Sequence, residues 1–434
     1  MDKMADVLGR AGAWCGQNKY LSAIKNAFQN FMPLTIAGAI GVLWCNVLVN
    51  DQTGLGLFFK PIMALDFLNP AFQAVNFCTI SCITVGITLG IAQEIGVWNM
   101  GAERAGYIPG LVGLAAWLSV TNTSHMVDGA KEAFTGIAGN ELGATGLFTG
   151  MIIGVLSVEL FCFFEKQDAL KIKMPEQVPP GVARAFEVLV PATITLIITA
   201  CIGSACYNLT GLYLNDVIKN GIQGPLGAVG ATIPGVMIIY LVIMLFWLVG
   251  IHGNNMLSAV KEALFTPLAL ENVEKFNKGE KPTNIINMYA LQMWGEFGGS
   301  GVTIGLVIAI MIFGKREDNK AIATLSLVPG LFNINETVTF GIPMVLNPIL
   351  GIPFVFACLV TIIVGYVLTV IGFCPVACLT VPWTTPPIVF GFLACGANVM
   401  GAVTQAILIV VSTVIYVPFL ISYEKYQNKQ AAEA

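Results

Sequence analysis

The chain has 434 residues, 56% of them hydrophobic and only 11% charged, with a formal net charge of -4 and a mean hydropathy of +0.79. Soluble globular chains carry about 25% charged residues, so an ordinary soluble domain is excluded and a polytopic membrane protein is indicated. No basic run exists that could track a phosphate backbone, which excludes nucleic acid as a partner.

Residues 1–30 alternate charged and apolar positions (Lys3, Asp6, Arg10, Lys19, Lys25) and contain no signal-peptide cleavage pattern. They read as an amphipathic segment lying along the membrane surface, with a solvated helical tail as the alternative. A membrane span needs about 20 mostly apolar residues. The stretches 31–50, 73–92, 106–122, 142–163, 187–208, 229–250, 298–314, 352–373 and 400–421 qualify. Three further apolar stretches, 251–297, 320–350 and 374–396, are broken by Gly, Pro or polar residues and do not read as simple spans.

Two sets of glycines, Gly86 with Gly90 and Gly146 with Gly150 and Gly154, recur every four residues, a spacing that lets helix backbones approach closely. The segment 209–228 is Gly-rich and too polar to span, which makes it a natural boundary. The expected architecture is an all-α polytopic membrane protein with about ten transmembrane helices plus re-entrant hairpins. It has two domains: a scaffold over 31–208 and, after the 209–228 linker with its amphipathic segment, a transport domain over 229–421 and a tail over 422–434. Lys166, Lys171, Lys173, Arg184, Lys315, Arg316, Lys320, Lys425 and Lys429 mark the cytoplasmic side and place the termini inside. Counting charges does not place the segment 261–281. The 11 cysteines form no C-x-x-C pair and mostly sit in apolar runs, and both histidines are isolated. Buried small hydrophobes are expected there, without a metal, a disulfide framework or a cofactor.

Against this background a few polar residues are conspicuous. Glu336 is the only Asp, Glu, Lys, Arg or His between Lys320 and Glu424, and it lies in GLFNINETVTFGIPMVLNP among Pro329, Pro343 and Pro348. Those prolines forbid a continuous helix. A carboxylate at membrane depth is costly and marks a functional site, here expected in a dry pocket; the alternative is a structural Glu bonded to backbone amides. His252 follows a long apolar span in FWLVGIHGNNML, with Asn254 and Asn255 just after it; a capping role is the alternative. In CLTVPWTTPPIVFG, Pro382, Pro386 and Pro387 put Trp383, Thr384 and Thr385 on irregular backbone. An indole offers a flat apolar face and one N–H donor, which suits a sugar ring, although an interfacial Trp anchor uses the same properties. One carboxylate, one imidazole, amides, hydroxyls and an aromatic plate make a hydrogen-bonding set for a neutral polyol.

In this order and spacing, GIHGNN, NINETVTFGIPMVLNP and VPWTTPP resemble the membrane component IIC of the bacterial phosphoenolpyruvate-dependent sugar phosphotransferase system, in its lactose/cellobiose/diacetylchitobiose branch. AIKNAFQNFMPLTIAGAI at 23–40 is similar to the start of that family. The resemblance implies a homodimeric permease in the bacterial plasma membrane, with the dimer contact in the first half. The second half would hold a β-linked disaccharide. His252 and Glu336 would hydrogen-bond the sugar near the hydroxyl that becomes phosphorylated, with Asn254, Asn255, Asn335, Trp383 and Thr384 as further binding residues. Glu336 is the candidate for activating that hydroxyl, and no other catalytic residue is assigned. The donor would be a phosphocysteine on a cytoplasmic IIB protein acting in trans, with IIA, HPr and enzyme I upstream. An ion-coupled sugar symporter, with Glu336 as its proton site, is the alternative.

Overall fold

The computed structural model describes residues 10, 14, 17–51, 55–125, 134–175, 177–225, 230–342 and 344–433. Pro343 and most of the first sixteen residues lie outside this set. The described residues are predominantly helical, and their only sheet is a two-stranded hairpin pairing Ser124–His125 with Phe134–Thr135. Among the described residues, five helices are long and apolar enough to cross a membrane: Lys19–Leu48, Ala144–Glu165, Pro180–Thr210, Gly351–Val370 and Val399–Glu433. The number rises to 7 if two bent pairs, Lys60–Ser81 with Ile83–Met100 and Met288–Val302 with Ile304–Phe313, each count as one span. Ile108–Val120 and Ile233–Leu248 are shorter apolar helices. The first apolar helix begins at Lys19, so residues 19–30 run straight into the stretch that the sequence marked from 31 onward. No Gly or Pro interrupts the chain between Lys19 and Pro33, and the helix propagates across the change in polarity.

The chain divides into two compact units. One comprises Gln17–Gly38 and Ala74–Ala228. Its core is the mutual packing of helices Ile83–Met100, Ile108–Val120, Ala144–Glu165 and Pro180–Thr210. The glycine spacing is used inside this unit. A Cβ on Gly150 would lie 2.2 Å from Thr88 Oγ1, and one on Gly90 would lie 3.1 Å from the Cβ of Ala27. The buried Glu165 carboxylate is neutralised by Arg104 and Arg184, at 2.8 and 2.9 Å, as a buried charge requires.

The other unit comprises Met1–Gly16, Ala39–Gln73 and Val229–Ala434. The long helix Val399–Glu433 packs against Ile304–Phe313, Gly351–Val370 and Val389–Ala394. Ile233–Leu248 and Met288–Gly295 also pack against Gly351–Val370. The charged segment that charge counting leaves unplaced forms helix Ser258–Asn277. Its polar residues serve buried backbone. The carboxamide of Asn272, with no exposed surface, donates to the carbonyls of Asn284 and Ala377 and accepts from the amides of Thr283 and Asn284. Another buried carboxylate, Glu424, accepts from the backbone amides of Lys315 at 2.9 Å and Arg316 at 3.3 Å. It thereby caps helix Glu317–Leu331, whose far end leads into Glu336.

Candidate functional site

Helix Ile233–Leu248 stops at two turns around Gly250, whose φ is +80°. His252 then caps the short helix Gly253–Met256, its ring Nδ1 accepting from the Asn255 backbone amide at 3.3 Å. A neutral imidazole has one donor and one acceptor nitrogen. With Nδ1 accepting, the proton sits on Nε2. The ring rests against Trp247, with centroids 4.4 Å apart and a tilt of 49°. Gly253 allows the turn to tuck under the helix, since a Cβ there would lie 2.0 Å from the Ile243 carbonyl oxygen.

Helix Glu317–Leu331 runs two residues past Pro329 and ends in a tight turn, in which the amides of Phe332 and Ile334 both donate to the Pro329 carbonyl. Asn333 adopts φ +62°, a left-handed conformation that Asn tolerates better than most residues. Glu336 then opens the short helix Glu336–Gly341. Beyond it, the Leu346 amide donates to the Leu248 carbonyl at 2.8 Å. This bond ties the chain after Glu336 to the end of the helix before His252. The result is that His252 Nε2 and Glu336 Oε1 face each other at 3.9 Å.

That separation is too long for a direct hydrogen bond. It is the right width for a hydroxyl oxygen, which at about 2.8 Å from each atom would accept from Nε2–H and donate to the carboxylate. Both side chains are open, His252 at 38% and Glu336 at 48% exposure. The expectation of a carboxylate in a dry pocket is thereby corrected. The buried place in NINE is taken by Asn335, at 3% exposure, whose amide donates to the Ser300 carbonyl at 2.9 Å. Its neighbour on the short helix consequently turns outward.

Asn333 joins three pieces of backbone. Its Oδ1 accepts from the Gly298 amide at 2.7 Å, and its Nδ2 donates to the carbonyls of Trp383 and Thr385. The NINE turn and the Trp383 loop are therefore held together by one carboxamide. Trp383 is 45% exposed, and a turn closes from the Thr385 amide to the Pro382 carbonyl. Thr384 lies at the tip of that turn, partly covered. The Asn255 side chain is exposed. Asn254 Oδ1, by contrast, is buried without a hydrogen-bond partner, as is Trp247 Nε1. Orphaned buried groups of this kind carry a desolvation cost that a ligand or water removes.

Sequence reasoning missed the residues that brace this assembly. Glu296, 15% exposed, pairs with the buried Lys261 ammonium and accepts from the Tyr240 hydroxyl at 2.6 Å. It sits in GEFGGSG, where Gly298, Gly299 and Gly301 all have positive φ and the path from Met288–Val302 to Ile304–Phe313 bends by 59°. Gly299 is fixed twice over: its φ is +86°, and a Cβ would lie 2.6 Å from that of Asn335. The loop thus carries the ion pair on one side and receives Asn333 and Asn335 on the other. A signal was present, because Glu296 is the only Asp, Glu, Lys, Arg or His between Lys281 and Lys315.

Comparison with known proteins now decides the family. The model of the phosphotransferase system EIIC family matches residues 25–358. The chain belongs to the EIIC family. It is 32% identical to the oligo-beta-mannoside-specific EIIC component of Bacillus subtilis, over 98% of this chain and 94% of that one. It is 29% identical to the cellobiose-specific EIIC component of Lactococcus lactis subsp. lactis, over 98% of each chain. Among solved structures it is similar to the transporter ChbC, the IIC component of the N,N'-diacetylchitobiose-specific phosphotransferase system. That match has a TM-score of 0.88 and 29% identity over 97% of both chains. As an EIIC protein the chain is an integral membrane permease of the phosphotransferase system. Such components work with a sugar substrate and a IIB partner within the phosphorelay.

Proposed function

We propose that this EIIC protein binds a neutral β-linked disaccharide of the cellobiose, chitobiose and lactose class, carries it across the bacterial plasma membrane and presents one hydroxyl to phosphorylated IIB. The observation that carries this reading is the 3.9 Å gap between His252 Nε2 and Glu336 Oε1, a space matched to a single hydroxyl. His252 donates to that oxygen and Glu336 accepts its proton end. As the hydroxyl oxygen forms its bond to phosphorus, the sulfur–phosphorus bond to the IIB cysteine breaks, and the nearest base for the released proton is the Glu336 carboxylate. Trp383 offers a ring face to the sugar, Thr384 and Asn255 offer rim contacts, and Asn254 Oδ1 gains a partner. Asn335 acts by holding the turn.

The charge balance favours release. Lys261 is already neutralised by Glu296 and does not add a free positive charge to hold a phosphate. The product dianion is repelled by Glu336, and uptake becomes one-way without an ion gradient. In this reading the residues 31–208 serve chiefly as the scaffold of a homodimer. The whole chain has about ten spans; residues 229–421, which include the re-entrant segments, move to carry the sugar, and the termini lie in the cytoplasm. A direct test is titration of the purified protein with cellobiose, lactose and diacetylchitobiose, comparing the parent with His252→Ala and Glu336→Ala. Both variants are expected to bind the preferred sugar about tenfold or more weakly. Parent-like affinity in both would remove the site from this pair.

A further inference from the structure

The Trp383 loop returns to regular helix through an unusual residue. Ile388 has φ +75° and ψ -52°, the angles of a γ-turn of the rare, strained hand. A β-branched side chain there is a conformational outlier, and such outliers persist only where surrounding contacts over-determine them. Here backbone bonds from Phe390 to Pro386 and from Phe392 to Ile388 are joined by those of one side chain. Gln405, on helix Val399–Glu433 and 1% exposed, accepts from the Ile388 amide and the Gly391 amide through Oε1, both at 2.7 Å. Its Nε2 donates to the Met293 carbonyl at 3.3 Å. The glycines beside it permit the close approach, since a Cβ on Gly401 would lie 2.2 Å from the Gly391 carbonyl oxygen. At the other end of the same loop, Asn333 grips the carbonyls of Trp383 and Thr385.

We propose that Gln405 is a positioning residue for sugar binding: it holds the strained Ile388 turn and, with Asn333, sets the height and tilt of the Trp383 ring over the site. This rests on the sugar-site reading above and adds a specific role to a residue remote from the sugar. Gln405 does not touch the substrate; it acts through Ile388. The Ile388 side chain is 44% exposed, so replacing it by Gly removes the strain while sacrificing little packing. The dependence on Gln405 should then disappear.

The experiment compares the full-length parent, Gln405→Leu, Ile388→Gly and the double variant in detergent. It uses hydrogen exchange of residues 383–395 by mass spectrometry together with cellobiose, lactose and diacetylchitobiose titration. Gln405→Leu is expected to speed exchange in this segment at least tenfold and to weaken sugar binding about tenfold. Ile388→Gly alone is expected to bind within about threefold of the parent, and the double variant to recover most of the lost affinity. Unchanged exchange in Gln405→Leu overturns the clamp, and faster exchange with parent affinity overturns its role in sugar binding. Failure of the double variant to recover overturns the route through Ile388. If His252→Ala and Glu336→Ala bind like the parent, it is the site reading that fails, and the exchange measurement still decides the clamp. A protein that does not fold is recognised by fast exchange throughout the chain; if Gln405→Leu behaves so, the double variant, in which Ile388→Gly removes the strain, is read in its place and is expected to fold and bind, with its failure to do so counting against the route through Ile388.

Discussion

Glu336→Gln is expected to reduce phosphorelay-coupled sugar uptake by about 10- to 100-fold while leaving the protein folded. The substitution keeps the size and one carbonyl oxygen but removes the charge. A hydrogen bond to a charged partner is worth about 1.5–3 kcal/mol, which corresponds to that range of affinity. The proton acceptor is lost as well, so the rate of sugar phosphorylation should fall further than binding does. Folding is spared because Glu336 is half open, whereas Asn333 and Asn335 carry the hydrogen bonds that hold the turn. The check is uptake of radiolabelled sugar alongside titration of the same variant. Parent-level uptake would remove Glu336 from the mechanism.

Breaking the Lys261–Glu296 pair is expected to have the largest effect on stability. Both partners are largely shielded from water, at 7% and 15% side-chain exposure. Removing one partner of a buried pair leaves the other charge uncompensated and costs about 3–5 kcal/mol, whereas replacing both by apolar groups is often close to neutral. Lys261→Met should therefore lower the unfolding temperature in detergent markedly, and adding Glu296→Leu with Tyr240→Phe, which removes the hydroxyl that Glu296 accepts from, should regain most of the loss. Sugar binding should fall in the single variant too, because the Glu296 loop supports Asn333 and Asn335. A single variant as stable as the parent would show that the pair is not what braces the loop.

Glu336 and His252 were legible because a titratable group in a long apolar stretch is expensive and rarely incidental. Glu296 passes the same test but was overlooked, since its partner Lys261 lies 35 positions earlier within a run of mixed charges that looked like a solvated segment. Gln405 left a fainter trace, a lone carboxamide in GAVTQAILIVV, and only the fold shows which backbone amides it serves. The prolines announced breaks at 329 and 382–387 correctly in kind, but not the left-handed turn at Asn333 nor the strained turn at Ile388. Those depend on contacts far apart in the chain. The exposure of Glu336 was misjudged for a related reason: composition gives the average polarity of a segment, and one helical position decides which of Asn335 and Glu336 turns inward.

A permease that holds an uncharged sugar hydroxyl for phosphoryl transfer is driven by the phosphorelay and not by an ion. Proteoliposomes containing the purified protein can be loaded with phosphorylated IIB and given labelled disaccharide outside, or given a proton gradient without IIB. Sugar phosphate is expected inside only when phosphorylated IIB is present, with no accumulation under the gradient alone. Accumulation of unmodified sugar driven by the proton gradient would contradict it.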